Sequence, residues 1–230
     1  MSIRTEESDR AVTLRGRETA SGGVGRLRLE SFFNSPKFSD FAIKVGDREF
    51  KVHKIVICGQ SDYFDRLFEG KWKEVLEDSS DLVGDDPAAV EAMVRFMYEN
   101  EYDSSGYDDT DMSPMVFDVL VYQVADKYGV GALKKLSKGK FDRATSICWE
   151  MDDFPRAVAQ VYSSPECEEL RDTIARVSSK HIDKLTMKNN FFRVLQETTG
   201  FAADVVRRMV KGANLQGQTQ CPNCGEEVEF

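Results

Sequence analysis

Between residues 41 and 52 apolar and polar positions alternate. Phe41, Ile43 and Val45 are separated by Ala42 and Lys44, and Phe50 and Val52 follow the same rhythm against Glu49 and Lys51. A period of two predicts strands, and Gly46-Asp47 between the runs predicts the turn of a β-hairpin. The pattern then changes. Ile55, Val56, Cys58, Tyr63, Phe64, Leu67 and Phe68 fit two short helices broken near Gly59–Ser61, with Asp62 capping the second and Gly70 ending it. Leu82-Val83 predicts a short third strand. Asp86-Pro87 opens a helix carrying Val90, Met93, Val94 and Met97 at i, i+3, i+4 and i+7. Ser113-Pro114 opens another, with Val116, Leu120 and Val124 on one stripe and Gly129 at its C-terminal end. Leu133, Leu136, Phe141 and Ala144 extend the helical pattern. Upstream of the hairpin, Leu27, Leu29, Phe32 and Phe33 form a wide apolar helical face that Asn34-Ser35-Pro36 stops.

From residue 86 onward every periodic segment is helical, and strands are expected only in the first half. Ser164-Pro165 restarts a helix with Leu170, Ile174 and Val177 inward. Phe191, Phe192, Val194 and Leu195 mark another, and Val205, Val206, Met209 and Val210 the last. The chain therefore divides into a polar tail expected to be disordered (1–24), a mixed domain (25–146), a helical extension (147–212) and a polar end (213–230).

The charge balance narrows the partners. The net charge of −9 speaks against nucleic acid and against anionic membrane surfaces, both of which need basic patches. No apolar stretch approaches the roughly 20 residues that span a bilayer, and the N-terminus has no apolar signal-peptide core. The five cysteines, three of them scattered singly, fit free thiols in a reducing, intracellular compartment, cytoplasmic or nuclear. Of the two histidines, His53 falls where the hairpin runs into the next helix and is expected to satisfy local backbone groups. His181 lies between helical segments. With no Ser/His/Asp or Cys/His arrangement in view, the chain is not expected to be an enzyme.

Several pieces in order between residues 38 and 104 carry a resemblance. They are Ser39-Asp40 before the first strand, Val52-His53-Lys54 at the helix entry, "SDYFDRLF", "FEGKWKE", the acidic "DDP" helix start and "MYENEYD". Together they resemble the BTB/POZ domain, closest to short stand-alone fungal proteins, and the following helices are similar to a BACK-type extension. The resemblance implies an α+β fold, a small three-stranded sheet flanked by helices, followed by an all-α extension. It implies a protein-interaction module that forms a symmetric homodimer through the first helix, with Leu27, Leu29, Phe32 and Phe33 at the interface. Asp40 and Lys54 match the family's charged pair near that interface, so a buried or half-buried ion pair is implied there. The competing reading is that Phe32 and Phe33 cover the core of a monomer. The same resemblance places Phe68, Trp72 and Glu74 where adaptors of cullin-RING ubiquitin ligases carry a hydrophobic-x-Glu element, with Trp72 as anchor and Glu74 as polar contact. The alternative folds Trp72 back on Leu67 and Phe68. A client, unnamed by the sequence, would then fall to the helical half.

The end of the chain offers a different chemistry. Cys221-Pro-Asn-Cys224-Gly has the spacing of a zinc knuckle, in which two thiolates fill two corners of a tetrahedron. Structural zinc takes four ligands, so Cys221 and Cys224 make half a site, and a second chain could complete it. That supports an alternative function, a regulatory protein whose chains are clipped together by zinc. Cys58, Cys148 and Cys167 lie in helical contexts and are expected to be buried fillers.

Overall fold

The structure is a computed structural model. It describes residues 29–70, 72–104 and 112–214, together with 219–220 and 227–228. Residues 213–214 and the last four are described by backbone alone. The expected N-terminal tail and Leu27 lie outside the described residues.

The hairpin forms as its alternation requires. β1 (Phe41–Val45) and β2 (Arg48–Val52) pair antiparallel from Phe41↔Val52 to Val45↔Arg48. Gly46 turns the chain at φ 53°, a left-handed conformation that favours glycine. β3 (Ser79–Asp81) joins β1 in parallel, Ala42↔Ser79 to Lys44↔Asp81, giving the mixed order β2-β1-β3. This third strand lies just before the expected Leu82-Val83. Its position is set by the register with β1, which extends to Leu82 through a hydrogen bond from its N–H to the Lys44 carbonyl at 2.7 Å. Because β1 is the central strand, Ala42 is buried along with Phe41, Ile43 and Val45.

The helices start where their caps sit. α1 (Lys54–Cys58) and α2 (Asp62–Glu69) break at Gly59–Ser61. The cap of α2 is Ser61, not Asp62. The Ser61 hydroxyl accepts the Phe64 N–H at 3.2 Å and donates to the Tyr128 carbonyl at 2.6 Å, so it is held from both sides. α3 (Lys73–Leu76) is a single turn. Asp86 caps α4 (Pro87–Glu99) through the Ala89 N–H, and Ser113 caps α5 (Pro114–Lys127) through the Val116 N–H. After α5, Gly129 adopts φ 63°. A Cβ there would stand 3.0 Å from Asp62 Cβ, so both the conformation and the approach of α2 call for glycine. Then follow α6 (Gly131–Cys148), α7 (Asp153–Ser163), a 3-10 turn at Pro165–Cys167, α8 (Glu168–Lys180), α9 (Ile182–Leu185), α10 (Asn189–Glu197) and α11 (Phe201–Asn214). Leu170, Ile174 and Val177 do point inward on α8. Strands are not confined to the first half. β4 (Thr219–Gln220) and β5 (Glu227–Val228) pair antiparallel, and two residues each are too few to display an alternation.

Two cores result. The first gathers the sheet, α2 and α4 with Phe117, Val121 and Val124 of α5. The second gathers α7, α8, Phe191 and Phe201 with Met115, Val119 and Tyr122 of α5 and Phe141 of α6. α5 is apolar nearly all round because it serves both.

Candidate interaction surface

The expected first helix is, over its described part, one 3-10 turn at Glu30–Phe32. Asn34, at φ 49°, ends it in a left-handed conformation, and Pro36 follows. Leu29, Phe32 and Phe33 are half-buried against the first core. The Phe32 ring stands edge-on to His53 at 5.6 Å. The Phe33 ring stands edge-on to Tyr98 at 6.2 Å, and the Arg95 guanidinium lies 4.3 Å from its centre. These rings cover part of the first core and still keep exposed area.

His53 is the hinge of this surface. It is buried at the N-cap of α1. Nε2 lies 2.9 Å from the Lys37 carbonyl, Nδ1 lies 2.8 Å from the Tyr98 hydroxyl, and the His53 backbone N–H donates to the same hydroxyl at 2.9 Å. A carbonyl can only accept, so Nε2 carries the proton and Nδ1 accepts from the phenol. Burial pushes the Tyr98 phenol up to about 12, which keeps it a donor. With both ring nitrogens engaged, His53 ties the 37–38 segment to α1.

Asp40 and Lys54 meet in a different way from the ion pair the resemblance implies. The Asp40 carboxylate accepts the backbone N–H of Lys54 at 2.7 Å and so caps the first turn of α1 from another segment. The Lys54 ammonium pairs instead with Asp78 at 2.7 Å and lies about equally over the Phe41 and Phe68 rings, at 5.6 and 5.5 Å. The geometry explains the exchange: the carboxylate is consumed at the helix start, and the lysine stem runs on across the sheet towards β3.

Two apolar residues to which the sequence analysis gave no surface role lie beside this point. Phe38, with φ 62°, is 77% exposed, and Ile55 on α1 is 86% exposed. The Lys37–His53 bond holds Phe38 next to the start of α1, and the Lys37 ammonium sits over both Phe32 and Phe38 at 5.8 and 5.4 Å. A signal for Ile55 did exist. Ile55, Val56, Ile57 and Cys58 are four successive apolar residues in a helix, and successive helical side chains cannot all face one side.

A second rim follows α2. Phe68 is half-buried, edge-on to Phe41 at 4.7 Å and stacked with Phe64 at 6.3 Å. Trp72 does not fold into the core: it is 59% exposed. Its indole lies over Gly70, where a Cβ would clash with the ring. Glu74, two residues on, is half-buried, and Leu76 is exposed.

A family model described as BTB/POZ domain matches residues 29–144. The chain belongs to the BTB/POZ family. The BTB fold is a protein-interaction fold and is generally non-enzymatic. Among similar proteins, Armadillo BTB Arabidopsis protein 1 of Arabidopsis thaliana is 23% identical over 188 residues, 80% of this chain and 24% of that protein. BTB and MATH domain-containing protein 15 of Caenorhabditis elegans is 36% identical over 81 residues, 35% of this chain and 30% of its own. The chain thus spans less than a third of either relative. The solved BTB domain of human gigaxonin shares 18% identity with a TM-score of 0.37, covering 52% of this chain and 96% of that one. The BTB match ends inside α6, and the second core lies mostly beyond it. Among the described residues no helix is long and apolar enough to cross a membrane. Cys221 and Cys224, the expected metal ligands, lie outside the described residues.

Proposed function

We propose that this BTB protein is a homodimeric scaffold whose twin-facing surface is centred on α1. The observation that supports this best is the exposed pair Phe38 and Ile55, beside the half-covered Phe32 and Phe33. An apolar patch of this kind, rimmed by Asp40, Lys37 and Lys54, suits a second copy of itself. Light scattering on the full chain tests it. The parent is expected at twice the chain mass. Ile55→Asp and Phe38→Asp, which change exposed side chains and leave the core intact, are expected at the single-chain mass with an unchanged melting curve. A parent that stays monomeric at high concentration ends this reading.

Trp72 and Glu74 support a second role on the same scaffold, as an adaptor that docks a cullin through an exposed aromatic anchor and a polar contact. Capture of the cullin N-terminal region by the parent, and its loss in Trp72→Ala with the dimer retained, is the expected result. Equal capture by both removes the assignment. In an adaptor the client falls to the helical half, where Ile147, Met151, Met187, Val206 and Val210 are exposed.

A further inference from the structure

α11 carries apolar residues on two of its sides. Phe201 and Val205 are buried in the second core, and Arg208 donates to Asp172 of α8 at 3.0 Å. At about 100° per residue these three fall on one side of the helix. Ala202, Val206, Met209 and Val210 fall on another, in a stripe roughly 100° wide. All four are exposed, Val206 at 57% and Val210 at 54%. A helix that packs on one side only is expected to be polar on the other. The spacing of the second stripe, i, i+4, i+7 and i+8, is that of a seam for a further helix.

The charge beside the stripe is one-sided. Going round the helix past Val210, the next positions are Arg207 and Lys211, both exposed, and no charged residue of α11 stands on the opposite border. Asp204, the one carboxylate of α11, accepts the Tyr162 hydroxyl at 2.9 Å and lies 3.5 Å from Arg207. Asp172 is engaged by Arg208. A groove of about 380 Å³ opens along this basic border between α8 and α11, and Arg171 of α8 lines it together with Arg207 and Lys211. The border is positive although the whole chain carries −9. Salt screens that background beyond about 8 Å, so the residues at contact decide. A second copy of α11 is a poor occupant, because its single Asp204 is already engaged and it brings no carboxylate to Arg207 and Lys211.

We propose that the outer face of α11 docks an amphipathic helix of a partner protein. Its apolar seam meets Ala202, Val206, Met209 and Val210, and its flank sets Asp or Glu against Arg207 and Lys211. This deepens the adaptor reading, on which it rests for the partner to be a client.

The probe is a displayed library of helical peptides of about three heptads, with Leu at the seam positions and Glu or Lys at each flanking position. It is selected on the full chain. Clones with Glu along one flank are expected to be enriched, and one of them is synthesised and titrated by fluorescence anisotropy. Val206→Asp and Val210→Asp are each expected to weaken its binding by about tenfold or more. Their melting curves stay those of the parent, since both side chains are exposed. Arg207→Glu combined with Lys211→Glu is expected to turn the preference towards the Lys-flanked peptide, which a merely structural role of the two cations would not do. No enrichment on the parent, enrichment of Lys-flanked clones, or binding that survives Val206→Asp and Val210→Asp overturns the proposal. So does a fall in chain mass in Val206→Asp, the mark of a contact between copies. Cullin capture is read on the same preparations. A chain that binds the peptide and no cullin refutes only the adaptor reading, and one that captures cullin and no peptide refutes only the docking face on α11.

Discussion

Replacing Tyr98 by phenylalanine removes one oxygen from the interior and leaves the ring. That oxygen has two partners, the backbone N–H of His53 at 2.9 Å and His53 Nδ1 at 2.8 Å. Both belong to a buried residue. In the variant the edge-on contacts of the ring with Phe33 and His53 persist, so no cavity opens. What changes is that a buried donor and a buried acceptor lose their partner together. Each such group costs about 1–3 kcal/mol when left unpaired, so the loss of two should be roughly 2–6 kcal/mol. For a chain of this size that lowers the thermal midpoint by about 4–24 °C. Urea unfolding followed by circular dichroism measures it, with the slope against denaturant unchanged. A cycle with His53→Ala sharpens the test. Once the imidazole is gone the hydroxyl has one partner fewer, so the double variant should lose less than the sum of the singles. A Tyr98→Phe loss below about 0.5 kcal/mol, or strict additivity in the cycle, refutes the account of His53 as a doubly bonded structural residue.

Asp40→Ala removes the cap that α1 receives from outside itself, and a loss of about 1 kcal/mol is expected in the same urea assay; no loss would mean that solvent replaces the carboxylate. Asp118 is buried and accepts hydrogen bonds from Tyr102 and Ser104 at 2.7 and 2.8 Å. Burial raises its carboxyl above the ordinary value against the lowering effect of those hydroxyls and of Lys140. A carboxyl raised in the fold adds stability at low pH that is lost as pH rises through the folded value. Asp118→Asn keeps an acceptor for both hydroxyls, so its stability should fall less than the parent's from acid to neutral pH; parallel curves refute this. Ending the chain after Cys148 uncovers Met115, Val119, Tyr122 and Phe141, all now buried. At about 1.5–3 kcal/mol each this approaches a whole domain's stability of about 5–15 kcal/mol, so the fragment should be insoluble or partly unfolded on expression. A soluble fragment with a sharp melting transition overturns that expectation.

Local chemistry was legible and long-range choice was not. Asp86-Pro87 and Ser113-Pro114 announce their helices because a cap and its N–H lie three residues apart. Ser61 and Asp62 are both able to cap α2, and the choice is made by the Tyr128 carbonyl, 67 residues away. The position of β3 depends on its register with β1, which no alternation within three residues can display. Around the candidate site, the apolar run Leu29–Phe33 and the residues Asp40, Lys54 and Trp72 stood out by type. Their contacts did not follow from type, since Asp40 takes a backbone N–H and Lys54 takes Asp78. Phe38 and Ile55 were hidden for an opposite reason: they look like core, and only the phase of a five-residue helix and a left-handed backbone turn them outward.

The sharing of α5 bears on how any partner of this protein must be sought. The family match ends at residue 144, inside α6, and invites a cut there. Yet Phe117 and Val121 face the first core while Met115, Val119 and Tyr122 face the second, on one rigid helix. A side chain altered on either side shifts the other, so stability changes in the two halves should couple rather than add. The candidate surface near α1 and the exposed apolar residues of the helical half therefore sit on two cores joined through α5. Loss of binding after truncation would report unfolding as readily as a missing contact. Substitutions at exposed positions such as Ile55, Trp72 and Met187 separate the two, because none of them carries core packing.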